Sequence, residues 1–109
     1  MLNIQIKKDY AAILDPLQES VDEALHRYAL EKVQARLLDL EQRVQQWEEK
    51  YGCSYDLFAY RIAIDEAYVT DLDADPKTQQ WEGDLIAWEF DTGELRTWRQ
   101  HLQTLLTES

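Results

Sequence analysis

Cysteine, glycine and long apolar runs are scarce in this chain of 109 residues. Cys53 is the only cysteine, so a single chain can form neither an internal disulfide nor a cysteine metal cluster. Three glycines argue against a glycine-rich phosphate-binding loop. No apolar run approaches the ~20 residues of a membrane-spanning helix, and residues 1–8 lack the charged-then-apolar order of a signal peptide. These absences predict a cytoplasmic protein of bacterial type that does not contact membranes.

Motifs of known catalytic and metal-binding sites are also missing. The chain has no nucleophile elbow, no Walker loop, and no cysteine with a suitably placed His-Asn pair. Glu23 and His26 have the Glu-x-x-His spacing of di-iron bundles, but those sites need a second such motif, which only a second copy of the chain would supply. Asp71, Asp73 and Asp75 lack the glycine and the glutamate of an EF-hand. We therefore expect no enzyme activity, no catalytic residue, no metal site and no cofactor.

Alternation at the amino terminus predicts a short strand. Leu2, Ile4 and Ile6 alternate with polar residues, which is the period-two pattern of a half-buried strand, and so short a strand needs a partner. The apolar residues in the rest of the chain recur at helical spacing. The predicted fold is therefore mainly α, with a strand or arm over residues 1–14, in a single domain of residues 1–109.

Three helices are predicted to follow this arm. Their start signals are two Asp-Pro pairs and Ser54, and Gly52 is expected to close the first helix. The predicted segments are a long helix over 16–51, a short helix over 54–69, a loop over 70–75 and a carboxy-terminal helix over 76–106. Gly93 is a candidate break in the last helix, because glycine costs ~1 kcal/mol relative to alanine in a helix interior.

A heptad pattern runs along the long helix. Its apolar residues recur at alternating intervals of three and four: Leu30, Val33, Leu37, Leu40, Val44, Trp47 and Tyr51. We predict that the first six form the interface of a homodimer, driven by burial of these side chains. Basic residues on one flank and acidic residues on the other, such as Arg43 and Glu48, favour a parallel pair. The alternative is that the same stripe packs inside one chain against the later helices, which the bulky Trp47 favours locally.

Acidic and aromatic residues concentrate beyond Gly52. The formal charge is −11; residues 1–52 carry ten acids and seven bases, and residues 53–109 carry twelve acids and four bases. Acid mixed with aromatic anchors favours a basic protein as partner over nucleic acid. The predicted partner-binding residues are Trp81, Glu82, Asp84, Trp88, Glu89 and Phe90. The alternative for the two tryptophans is a place in the core, with at least one of them packing against the long helix.

Any contact with nucleic acid is expected to be confined to the amino-terminal part, because the acidic half repels phosphates. Lys7 and Lys8 lie on or beside the predicted strand, and Arg27, Lys32 and Arg36 add positive charge along the long helix. Five cations are also an ordinary number for a helix surface. Protein binding is therefore the stronger prediction.

The order of these features resembles small antitoxin-type proteins of bacterial toxin–antitoxin modules. The motifs that carry the resemblance, over nearly the whole chain, are Val21-Asp22-Glu23-Ala24-Leu25, Glu49-Lys50-Tyr51-Gly52-Cys53-Ser54-Tyr55 with Phe58, Trp81-Glu82 and Trp88-Glu89. The resemblance implies a protein that binds and blocks a neighbouring toxin, often a basic ribonuclease or nucleotidyltransferase, and that sometimes helps to repress its own operon. The alternative is a structural or adaptor coiled-coil protein without a toxin partner.

Overall fold

The computed structural model describes the backbone of residues 2–107 and the side chains of residues 16–107. Within that range it contains four helices: α1 (Leu2–Tyr51), α2 (Tyr55–Ile64), α3 (Glu66–Ala74) and α4 (Trp81–Thr107). The prediction of a mainly helical chain with one long helix is confirmed. None of these four helices includes a stretch that is both long and apolar enough to span a lipid bilayer.

The amino terminus differs from the prediction. α1 begins at Leu2 and continues through Pro16, so the alternation of Leu2, Ile4 and Ile6 belongs to a helix and not to a strand. A strand forms its backbone hydrogen bonds only with a neighbouring strand, and residues 2–107 contain no strand. A helix forms its backbone hydrogen bonds within its own segment. Pro16 therefore lies inside α1, where the missing N–H costs ~3 kcal/mol, and does not start it.

The junction between α1 and α2 follows the predicted chemistry. Gly52 has φ +70°, and its N–H donates to the carbonyl of Glu48 at 2.7 Å. This left-handed conformation ends α1 because residues with a Cβ disfavour it. Ser54 Oγ then accepts a hydrogen bond from the Leu57 N–H at 3.2 Å and caps α2. Both predictions at this junction are confirmed.

Asp65 divides the predicted helix over 54–69 in two. Its backbone N–H donates to the carbonyl of Arg61 at 2.8 Å, while its carboxylate accepts from the N–H of Tyr68 at 3.1 Å. The same residue thus ends α2 and caps α3, as aspartate does at many helix starts. α3 continues through most of the segment 70–75, so the prediction of a loop there was wrong.

α4 begins at Trp81 and not at residue 76. The carboxylate of Asp75 accepts a hydrogen bond from the N–H of Lys77 at 2.9 Å, and Thr78 Oγ1 donates to the carbonyl of Leu72 at 2.8 Å. These local side-chain bonds favour turns over a helix immediately after the Asp-Pro pair. α4 then runs through Gly93 without a break.

α4 packs against the carboxy-terminal half of α1 in the antiparallel direction. Lys50 pairs with Asp84 near the start of α4, and Glu41 pairs with Arg99 farther along it. The core consists of two clusters of buried residues. The first contains Val33, Leu37, Leu40 and Leu95, and the second contains Phe58, Leu72 and Trp88. The molecule measures 82 × 21 × 19 Å, because the amino-terminal half of α1 extends beyond this core.

The heptad seam of α1 has its partner within the same chain. Leu40 is fully buried, Val33 and Leu37 are nearly so, and all three pack with Leu95 of α4. The other residues predicted to form a dimer interface, Leu30, Val44 and Trp47, are half-buried. Because α4 supplies the apolar surface that a second chain was expected to supply, Val33, Leu37 and Leu40 are not available as a dimer seam in this fold. The structure agrees with the alternative of an internal bundle.

Candidate protein-binding face

Trp88 forms the centre of the core beneath the acidic half. It is fully buried, and its ring lies 5.2 to 6.5 Å, centroid to centroid, from four other aromatic rings. Those rings belong to Trp47, Tyr51, Tyr55 and Phe58. A side chain with this burial cannot touch a partner, so its assignment as a partner-binding residue was wrong. The alternative, that a tryptophan of α4 packs against the long helix, is confirmed.

Two carboxylates of α4 bind groups on α1. Asp84 accepts hydrogen bonds from Lys50 Nζ at 2.6 Å and from the hydroxyl of Tyr51. Asp91 is 6% exposed and accepts from Trp47 Nε1 at 3.0 Å. Both carboxylates therefore hold α4 against α1 through charge-assisted hydrogen bonds. Asp84, which the sequence suggested for partner binding, has this internal role instead.

Tyr51 shows how closely α1 and α4 pack at this point. Burial raises the pKa of its phenol, and the hydrogen bond to Asp84 and the charge of that carboxylate raise it further. Burial also raises the pKa of Tyr55 and of Tyr68, which border the same cluster. These phenols are packing groups that stay protonated and do not serve as acids or bases near neutral pH.

The outer face of α4, opposite this core, combines exposed apolar and acidic residues. Ile86 is 69% exposed and Phe90 is 58% exposed, and the two lie one helical turn apart. Glu82 lies one turn before Ile86, and Glu89 lies on the next turn beside it; both are exposed. We call these four residues, Glu82, Ile86, Glu89 and Phe90, the acidic-apolar face.

A shallow groove joins the acidic-apolar face to α1. Its lining consists of residues of both helices: Arg43, Gln46 and Trp47 of α1, and Gly83, Ile86, Ala87, Phe90 and Asp91 of α4. Gly83 adds space, since a Cβ at that position would meet no atom within 4 Å. The groove offers an incoming side chain a mainly apolar lining with the carboxylate of Asp91 among its residues, an arrangement typical of protein-binding sites.

Further negative charge lies on α3 and on the turns that follow it. Glu66, Asp71, Asp73 and Asp75 are all exposed. Asp73 also accepts a hydrogen bond from Trp81 Nε1 at 2.7 Å, which fixes the orientation of that half-buried indole at the edge of the acidic end. Exposed charges of one sign raise the local potential and attract an oppositely charged partner.

The structure thus brings together three of the six predicted partner-binding residues, Glu82, Glu89 and Phe90. Trp81 lies at the border of the face, half-buried, while Asp84 and Trp88 point into the protein. The sequence reasoning missed Ile86. Helical spacing could have identified it: residues 86 and 90 lie on one face of α4, and the buried positions 88, 91 and 95 lie on another.

The remaining candidate residues from the sequence concern metal binding and nucleic-acid binding. Among residues 16–107, no group of three His, Cys, Asp or Glu side chains lies close enough to hold a metal ion. Glu23 is exposed and His26 is half-buried on the projecting part of α1. Lys7 and Lys8, the predicted nucleic-acid contacts, precede the side chains that the structure describes.

Comparisons with protein-family models, with curated proteins and with solved structures each find no match to this chain. The resemblance to antitoxins therefore stays a prediction from the motifs quoted above.

Proposed function

We propose that this chain is a non-enzymatic, antitoxin-like binding protein that captures a basic partner protein, a toxin, through its acidic-apolar face. The observation that carries the proposal is the exposure of Ile86 and Phe90 one helical turn apart, with the exposed carboxylates of Glu82 and Glu89 along one side of the pair. Two large apolar side chains held in water on a rigid helix cost the free protein solubility. They gain free energy once a partner covers them.

Charge and apolar contact have separate parts in the proposed binding. The exposed carboxylates of α3 and α4 attract a basic protein over a distance of about one Debye length, ~8 Å at physiological salt, and so raise the association rate. Phe90 then enters an apolar pocket of the partner and slows dissociation, as buried aromatic anchors do in other interfaces. α1 and the core hold the face in one geometry, so little side-chain entropy is lost when the partner binds.

The proposal is tested by isolating the tagged protein from the cell that encodes it and identifying what it retains. We expect one predominant basic protein, and we expect the purified pair to bind with an affinity that falls as salt increases. The double variant Ile86→Ser/Phe90→Ser should weaken binding by at least ~2 kcal/mol, or about 30-fold. Glu89→Lys should mainly lower the association rate.

A matched control separates this face from exposed apolar residues in general. Ile64 on α2 is 62% exposed, close to the value for Phe90, and lies outside the acidic-apolar face. Ile64→Ser should leave binding of the basic protein unchanged. Recovery of only neutral or acidic proteins, or equal affinity for the wild type and the Ile86→Ser/Phe90→Ser variant, would exclude the proposed function and favour a structural or adaptor role.

A further inference from the structure

The projecting part of α1 has an apolar stripe that the core of its own chain leaves open. Every residue from 16 to 28 is exposed except His26, which is half-buried. Four large apolar residues lie on one side of this segment: Leu17, Val21, Leu25 and Tyr28. They are 54%, 43%, 60% and 58% exposed, respectively. We call these four residues the arm stripe.

The arm stripe does not continue the seam that binds α4. Extending the seam from Leu30 toward the amino terminus at intervals of four and three reaches His26, Glu23 and Glu19, which are polar. At about 100° per residue, the arm stripe lies roughly 130° around α1 from the seam. α4 packs on the seam and cannot cover both faces, so the stripe needs a different partner.

We propose that the arm stripe pairs with the arm stripe of a second copy, with the two helices antiparallel and a two-fold axis beside Val21. The stripe is self-complementary in this arrangement. Val21 faces its own equivalent, and Leu17, four residues before it, faces Leu25, four residues after it, in the other copy. A two-fold interface requires this match of a surface with itself.

Net charge selects the antiparallel direction. Residues 30–109 carry seventeen acids and eight bases, whereas residues 1–29 carry five acids and three bases. Parallel pairing would place the two acidic parts side by side, at the 8 to 10 Å typical of packed helices. Antiparallel pairing about Val21 separates the two Leu40 positions by about 57 Å, several times the ~8 Å over which charges act at physiological salt.

The core leaves room for the second helix. With the axis at Val21, residue 2 of one copy lies opposite residue 40 of the other, so the second helix runs beside α1 past the start of the seam. It runs on the side of the arm stripe, away from α4. Lys32 Nζ stands 5.3 Å from the ring centroid of Tyr28 and closes the apolar stripe at that end with a cation. The stripe therefore has a polar limit at its carboxy-terminal end.

This dimer is independent of the proposed function, because the acidic-apolar face lies on α4 and stays uncovered. It also differs from the parallel dimer that the heptad seam suggested. The two copies meet through the projecting arms, and each copy keeps its own core.

The test begins with the full-length protein in sedimentation equilibrium at about 50 µM, in physiological salt. We expect a dimer. Val21→Glu/Leu25→Glu should weaken dimerisation at least 100-fold, while Leu57→Glu, which alters an exposed leucine of α2, should leave it unchanged. The near-ultraviolet circular dichroism of the tryptophan cluster should be the same in all three proteins, since the substituted residues are exposed. A wild-type monomer, or a dimer that survives Val21→Glu/Leu25→Glu, would overturn the proposal.

Orientation is tested separately with cysteine pairs and X-ray scattering. In a Cys53→Ser background, Leu17→Cys chains mixed with Leu25→Cys chains should form a disulfide-linked dimer on mild oxidation, and Leu17→Cys chains alone should not. The maximum dimension should be about 105 Å for the antiparallel dimer, against the 82 Å length of one chain. Linkage of Leu17→Cys chains to one another, with a dimension near 82 Å, would overturn the antiparallel arrangement. Monomers whose arms bind only to anionic lipid vesicles would overturn self-association as a whole.

Discussion

Replacing Trp88 by alanine should remove much of the stability of the chain, even though the residue lies in the acidic segment that suggests a binding surface. The side chain is fully buried among four aromatic rings. Truncation of a buried tryptophan typically costs about 3 to 5 kcal/mol, and well-placed aromatic pairs add about 0.5 to 1.5 kcal/mol each. We therefore expect a loss near 5 kcal/mol, comparable to the total stability of many small domains, about 5 to 15 kcal/mol.

Trp88→Phe is the matched control. The indole Nε1 is buried and has no hydrogen-bond partner among the described residues, and an unsatisfied buried donor costs about 1 to 3 kcal/mol. Phenylalanine removes that donor and keeps an aromatic ring in the cluster. Removing the unsatisfied donor therefore offsets part of the free energy lost with the smaller packing area. We expect Trp88→Phe to cost less than about 1.5 kcal/mol. Phe90→Ala, on the exposed side of the same helix, should change stability by less than about 0.5 kcal/mol.

Urea unfolding followed by circular dichroism at 222 nm measures all three variants, because this signal comes mainly from the helical backbone. A large loss with Trp88→Ala, a small one with Trp88→Phe and none with Phe90→Ala would agree with the structure. The reasoning fails if Trp88→Ala costs less than about 1 kcal/mol, or if Phe90→Ala costs as much as Trp88→Ala. The first result would mean that Trp88 is exposed, and the second would mean that Phe90 is buried in the core.

Two further predictions concern the end of α1. Gly52→Ala should lower the free energy of unfolding by about 1 kcal/mol, because a Cβ disfavours the backbone angle φ +70°. Gly93→Ala inside α4 is the control and should be neutral or stabilising, since a Cβ there meets no atom within 4 Å. Equal urea midpoints for the two variants would contradict this prediction. Burial and Asp84 raise the pKa of Tyr51 above its ordinary value of 10.0, so the folded chain holds this proton more tightly than the unfolded chain and stability should fall as pH rises above about 10. Tyr51→Phe should make that fall shallower in urea unfolding between about pH 8 and about pH 11, and an unchanged slope would refute the assignment.

Local chemistry at helix ends was the most predictable part of the fold. Gly52 and Ser54 act within one turn of the chain: the glycine adopts a left-handed conformation and the serine accepts an N–H bond. Neither effect depends on distant residues, so the sequence suffices. The same logic could have found the break at Asp65, which caps α3 through Tyr68, but the apolar residues on both sides of it also fitted one continuous helix.

The partner of the heptad seam could not be predicted from the seam alone. The spacing of Leu30 to Trp47 identifies an apolar face of α1, but periodicity does not say whether another chain or a later helix covers it. The deciding information lies in α4, where Leu95, Trp98 and Leu102 provide a second apolar stripe. Intramolecular packing of two such stripes avoids the entropy cost of bringing two chains together.

The candidate face was predicted in part, because composition identified the segment but phase determines which side chains reach its surface. Trp88 and Phe90 are two residues apart, and a helix turns by about 200° between them. Aromatic content alone assigned both to a partner, whereas the structure buries the first and exposes the second. Reading each residue against the phase of the apolar stripe separates core from surface.

The direction in which each residue of α4 points also divides its acidic residues into two groups with different roles. Asp84 and Asp91 face α1, where Lys50 and Trp47 bind them, so their charge contributes to holding the helices together. Glu82 and Glu89 face water on the other side. In the proposed complex the partner meets the second group and not the first, since the inner carboxylates are already bound to donors on α1. Neutralising Asp91 should lower stability without a change in association rate, and neutralising Glu89 should do the reverse. This division lets a strongly acidic segment hold α4 to α1 through Asp84 and Asp91, while Glu82 and Glu89 stay exposed for the proposed binding of a cationic protein.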